Sequence, residues 1–211
     1  MLVATFDIGT TAVKAVAVRD DGELVFTGSQ VIHTIEKNGF KEQDPEEWYS
    51  AFCTLSHALT GKIPAQEISA LIFSGQMQDV IPVGSDRRAL GNAILYSDGR
   101  AGAQAEAIEN AVGSDTITAI TGNHFDGSMP LAKILWLKEN EPEIYTQTTA
   151  FLISSKDYVV AKLTGNFIGD MTACATAGAM DLEYKTWSQC LINGAGLDIN
   201  KFPKLLHSHE L

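Results

Sequence analysis

A short loop of small and hydroxylated residues, Asp7-Ile8-Gly9-Thr10-Thr11, followed by Lys14, offers the groups that handle phosphate. Glycine lets backbone approach an anion closely, exposed amides and two hydroxyls donate, and a carboxylate at a strand end can orient hydrated Mg²⁺. Lys14 could neutralise phosphate charge. A hairpin turn whose threonines cap local backbone explains the same residues, so from this motif alone both readings stay open.

A second constellation joins Ser74-Gly75-Gln76-Met77-Gln78-Asp79 to Tyr96-Ser97-Asp98-Gly99-Arg100, each at the end of an apolar run. Strand ends beside glycine are where α/β folds place ligand groups. Amide, carboxylate, guanidinium and aromatic groups converging there would suit a polyhydroxylated ligand, its hydroxyls paired and its carbon face packed on a ring. Solvated loops with Arg100 in a surface ion pair are the competing reading. His207 and His209 lack a third metal ligand nearby in sequence, and His33, His57 and His124 read as ordinary structural or surface residues. Trp48, Trp136 and Trp187 sit in amphipathic stretches and read as core. The chain has no G-x-x-x-x-G-K-[S/T], no G-x-G-x-x-G after a strand and no G-x-S-x-G elbow, so P-loop, classical dinucleotide and common serine-hydrolase chemistry fail their own tests.

The elements that must position these groups are legible in the pattern. Val3–Phe6 and the alternation at Val13, Ala15 and Ala17 read as two strands, with Asp20-Asp21-Gly22 turning into a third over Leu24–Ile32. Asp44 as N-cap, Pro45 at the first helical position and Glu47 closing a capping box start a helix with Trp48, Ala51, Phe52, Leu55 and Leu59 on its apolar face and Gly61 at its end. Strands follow at Ile68–Phe73, Val80–Val83 and Ala93–Tyr96, the last two separated by a turn around Gly84, Ser85 and Asp86. Helices are expected up to about Val112, closed by Gly113, then over Pro130–Asn140 and Asp157–Leu163. The sum is an α/β fold, a mixed sheet with flanking helices in one domain.

With 211 residues the chain can bury a substantial core, and its apolar and charged fractions are ordinary for a globular protein. No run is long enough to span a bilayer and the first residues lack a secretory signal pattern, so neither a membrane role nor export is expected. A net charge of −11 without a basic stripe argues against nucleic acid. Cys53, Cys174 and Cys190 are expected to be buried thiols in a reducing cytoplasm.

The residues together resemble the FGGY carbohydrate kinase family, nearest to its xylulokinases, along essentially the whole chain. The resemblance rests on Asp7-Ile8-Gly9-Thr10-Thr11 with Lys14, Glu42-Gln43-Asp44-Pro45-Glu46 before Trp48, Ser74-Gly75-Gln76-Met77, Asp98-Gly99-Arg100, Thr121-Gly122-Asn123, Lys133 to Trp136 with Glu141-Pro142-Glu143, and Lys156-Asp157-Tyr158 with Leu163-Thr164-Gly165. It implies a ribonuclease H-like lobe of the actin/hexokinase type, closing with a second lobe on ATP and a sugar. Asp7 would organise Mg²⁺ and phosphate, Gly9, Thr10, Thr11 and Lys14 would face the phosphates, and Gln76, Met77, Gln78, Tyr96, Asp98 and Arg100 would line the sugar cleft. The general base and most of the adenosine pocket would come from a C-terminal lobe expected beyond residue 211, so residues 1–211 alone are expected to be inactive. A non-catalytic sugar-binding or regulatory module is the alternative, and a homodimer is left open. Xylulokinases typically read Gln-Met-His-Gly and Trp-Asn-Asp-Gly-Arg where this chain has Gln76-Met77-Gln78-Asp79 and Tyr96-Ser97-Asp98-Gly99-Arg100. D-xylulose is therefore the leading substrate, with another ketose, a pentitol, glycerol or a related polyol open.

Overall fold

The structure, a computed structural model, describes residues 1–210. The chain opens with an antiparallel meander of β1 (Leu2–Ile8), β2 (Ala12–Arg19) and β3 (Leu24–Val31). Gly22, at φ 88°, makes the turn between the last two, where a Cβ would be strained. A hairpin of β4 (Ile35–Lys37) and β5 (Phe40–Gln43) follows, and then α1 (Pro45–Thr60). Strand β6 (Ile68–Gly75) returns parallel to β1 and completes a four-stranded sheet in the order β3-β2-β1-β6.

One face of this sheet is closed by α1, whose Trp48, Ala51, Phe52, Leu55 and Leu59 are buried as the spacing requires, against Leu2, Ala4, Phe6, Val13, Ala15 and Ala17. Asp44 caps α1 by accepting the Glu46 N–H at 2.9 Å. The expected capping box does not form, because the Glu47 carboxylate is drawn instead to the backbone N–H and ring of His33 at 3.1 and 2.6 Å. On the opposite face Asp7, Lys14, Ser74 and Ile72 stay wholly or partly exposed.

The second half builds on β7 (Met77–Val83) and β8 (Ala93–Ile94), followed by α2 (Gly102–Val112), α3 (Ser114–Thr121), α4 (Pro130–Asn140), α5 (Pro142–Gln147), β9 (Ala150–Ser154) and α6 (Ser155–Thr164). The second sheet runs β4-β5-β8-β7-β9, and its β8-β7-β9 part is covered on both faces. Ile81, Val83 and Leu152 join the first core, whereas Val80, Ile94, Phe151 and Ile153 pack with α2, α3 and α4 in a second. Burial on both faces is why β9 is apolar throughout instead of alternating. Strand β8 is shorter than expected because the Tyr96 N–H leaves the ladder to donate to Asp79 Oδ1 at 3.0 Å. Of the cysteines only Cys174 is buried; Cys53 is partly covered and Cys190 exposed, because Cys190 lies on the outer side of the short helix Gln189–Gly194 that buries Leu191 and Ile192. Among the described residues no helix is long and apolar enough to cross a membrane.

Candidate functional site

Strand β1 delivers Asp7 to the open face of the first sheet, in register with Lys14 on β2 and Ser74 on β6. Directly paired residues share a face, so the three side chains form a row across the sheet. Among the described residues none donates to the Asp7 carboxylate, which is left to solvent. The turn beyond it is closed by the Gly9 N–H donating to Ala12 O at 3.2 Å. A Cβ on Gly9 would stand 3.1 Å from that carbonyl and 3.4 Å from Asp7 Oδ2, crowding the carboxylate, so the site needs glycine. Thr11 and Lys14 are exposed and Thr10 half-buried.

Thr10 faces inward because its hydroxyl donates to Gln76 Oε1 at 2.9 Å. Gln76 Nε2 in turn donates to Gln43 Oε1 at 2.7 Å. Gln43 is wholly buried and uses its full capacity: Oε1 also accepts the Trp48 indole N–H at 3.0 Å, and Nε2 donates to Thr10 O at 2.7 Å and Thr34 Oγ1 at 2.9 Å. Gln43 has no role in the sequence reading. Its signal is a polar residue one position before a helix N-cap and five before a buried tryptophan, a spacing that brings amide and indole together across the first turn.

The other support is the start of α6. Ser155 Oγ donates to Ile8 O at 2.6 Å, and Ser154 Oγ and the Ser155 N–H donate to Gln76 O at 2.7 and 3.2 Å. A Cβ on Gly75 would lie 2.5 Å from Ser155 Oγ, so glycine at that strand end lets α6 approach. Buried Asp157 beside it is pushed up to about 6 by burial, against the pull of Lys156.

At the ends of β7 and β8, Met77 and Tyr96 are 42% and 43% exposed, large side chains presented outward. Gln78 between them sits at φ 68°, a left-handed conformation uncommon for glutamine, and its Nε2 donates to Ser128 Oγ at 3.2 Å. Asp79 is turned fully inward. Asp98 and Arg100 reach the same end of the sheet but are spent internally. Asp98 accepts the Lys41 N–H at 2.6 Å, the Arg100 N–H at 2.9 Å and two guanidinium donors at 3.0 and 2.7 Å. Burial alone would raise its pKa, but these donors hold it below the usual carboxylate value. The guanidinium, 2% exposed, also meets Glu42 at 2.7 Å and stacks over Phe40 at 3.8 Å and Trp136 at 4.9 Å. Arg100 is thus in an ion pair, but a buried one set against an edge-to-face pair of aromatic rings.

The fold thus brings Asp7, Gly9, Thr10 and Lys14 together at one strand end and Gln76, Met77, Gln78 and Tyr96 beside it. Mg²⁺ typically binds through one or two carboxylates completed by water and phosphate, and the unpartnered Asp7 carboxylate fits that demand. His207 and His209 stack at 5.5 Å, and among the described residues no group of three or more His, Cys, Asp or Glu is placed to hold a metal.

A family model described as the FGGY family of carbohydrate kinases, N-terminal domain, matches residues 2–211. A protein named xylulose kinase from Bacillus subtilis (strain 168) is 33% identical over 211 residues, covering 99% of this chain and 42% of the relative. The crystal structure of ligand-bound xylulose kinase from Lactobacillus acidophilus superposes with a TM-score of 0.88 at 30% identity, over 97% of this chain and 42% of that one. Gluconate kinase from the same organism superposes with a TM-score of 0.87 at 31% identity, over 98% and 42%. The chain spans less than half the length of these proteins.

Proposed function

Because the chain belongs to the FGGY family of carbohydrate kinases, with a lobe of the actin/hexokinase ATPase fold, we propose that it is the acceptor-binding part of an ATP-dependent kinase for a small neutral ketose or polyol, D-xylulose first among them. The observation that supports this best is the adjacency, through the Thr10–Gln76 hydrogen bond, of a phosphate-type loop and a polar strand end.

In this reading Gly9, Thr10, Thr11 and Lys14 receive the phosphates of ATP, and Asp7 orients hydrated Mg²⁺, which supplies charge neutralisation on the transferring group. Met77, Gln78 and Tyr96 meet the sugar, while Gln76 ties the two halves. Asp98 and Arg100 serve the sugar side by bracing the ends of β5 and β8. The acceptor oxygen attacks the γ-phosphorus, the bond to ADP breaks, and the hydroxyl proton passes to a base. In this reading the base comes from a second lobe, and residues 1–211 alone would fold without turnover.

The similarity to a gluconate kinase supports a second reading, an aldonate acceptor. The site's charges favour the first. Arg100 is engaged by Asp98 and Glu42, and Lys133 by backbone carbonyls, so among the described residues neither of these two cations is free to pair a substrate carboxylate. The matches are to kinases, which does not favour a non-catalytic module. Phosphorus NMR of the complete protein's products with D-xylulose and D-gluconate in competition tests the reading: a sugar phosphate supports it, and only phosphogluconate would replace it by the second.

A further inference from the structure

Gln78 is held in a conformation it would not choose. A non-glycine residue at positive φ is strained and persists only where its surroundings over-determine it. The β7–β9 pairing is also irregular here, shifting register between Met77 and Ile81. What over-determines Gln78 is the ammonium of Lys133, which rises from α4 into the sheet at 0% exposure. It donates to Gln78 O at 3.3 Å and to Leu95 O at 2.7 Å, tying the ends of β7 and β8 together. Asp79 makes a further tie through Tyr96 N–H, leaving its Oδ2 buried without a partner.

Resting on the kinase reading above, we propose that Lys133 is a positioning residue for acceptor recognition: through its bonds to Gln78 O and Leu95 O it fixes Gln78 and Tyr96 so that their side chains meet the sugar. A buried lysine bonded only to carbonyls is an expensive brace, and an apolar side chain would fill the volume at less cost, so fold stability alone does not account for it. The charges around it are Asp79 on β7, Asp98 and Arg100 beyond β8, and Asp126 before α4. Asp98 and Glu42 are both engaged by Arg100, which leaves Asp79 and Asp126 as the other carboxylates near the ammonium.

Lys133→Met removes both ties but leaves Asp79 without its counter-charge and can unfold the protein. The decisive variant is therefore Lys133→Met with Asp79→Asn, which keeps the acceptor for the Tyr96 N–H and buries no unbalanced charge. In the complete protein this double variant should keep its melting temperature and its KM for ATP, and lose acceptor affinity by about tenfold or more in KM, with kcat within about threefold. A folded double variant whose acceptor KM is unchanged overturns the positioning role alone. An unsubstituted protein that phosphorylates no sugar overturns the kinase reading, and this proposal with it.

Discussion

The Thr10 hydroxyl donates to the side-chain carbonyl of Gln76 at 2.9 Å, joining the loop that would meet phosphate to the strand end that would meet sugar. Gln43 stands behind both, bonded to Gln76, to the Thr10 backbone and to Trp48. Gln43→Leu would leave Gln76, Thr10 and the indole short of partners inside the protein. We expect a loss of about 2–4 kcal/mol, read from urea unfolding at constant m-value; a loss below about 1 kcal/mol would mean that water replaces the amide.

Asp7 is the one carboxylate in the row Lys14–Asp7–Ser74, with no described partner. Asp7→Ala should cut turnover of the complete protein by about two or more powers of ten and change acceptor KM little, because the group would act on Mg²⁺ and phosphate. Near-normal kcat would remove Asp7 from the catalytic residues.

Gln78 and Tyr96, with Ser97 beside them, are exposed or half-exposed positions at which the sugar side departs from the xylulokinase pattern. Gln78→His with Tyr96→Trp should move preference towards D-xylulose, histidine being tolerant of the left-handed backbone already in place. A panel of ketoses and polyols ranked by kcat/KM checks this, and an unchanged ranking would assign specificity elsewhere.

Burial pushes Asp79 up to about 7, against the Tyr96 N–H and the charge of Lys133, which pull it down. Between the unfolded carboxyl range near pH 4 and about pH 7 the folded state holds the extra proton, so this group's contribution to stability falls as pH rises through that window. The melting temperature of Asp79→Asn relative to the unsubstituted protein should therefore rise as pH goes from about 4 to 7.5. Lys133, brought down to about 8 by burial, acts at the other end: its penalty fades as pH rises from about 8 towards 10. A gap in melting temperature that does not vary with pH would show that Asp79 ionises normally.

Much of the fold was legible because patterning and punctuation agreed. The Asp20-Asp21-Gly22 turn, the apolar face of α1 and the glycine ends of α2 and α6 are all where the spacing predicts them. The hairpin of β4 and β5 is absent from the expectations because its strands are too short and exposed for an alternation signal, although Asn38-Gly39 takes φ 54° and 82° as a type I′ turn demands. Strand β9 was not, because Ala-Phe-Leu-Ile-Ser has no periodicity to separate strand from buried helix. At the site, residue types announced the Asp7 loop and the Gln76 segment. They could not announce that Arg100 turns inward against Phe40 and Trp136, or that Lys133, some fifty residues from Gln78, reaches its carbonyl.

The central claim is that this chain presents a sugar to ATP. Its most direct measurement is acceptor-dependent ADP release by the complete protein, coupled to a spectroscopic readout, with D-xylulose, other ketoses, pentitols, glycerol and D-gluconate as acceptors. The account predicts Mg²⁺-dependent release with a neutral ketose or polyol, D-xylulose foremost, and none from residues 1–211 alone. Release that does not depend on any acceptor, or no release with the whole panel, would contradict it.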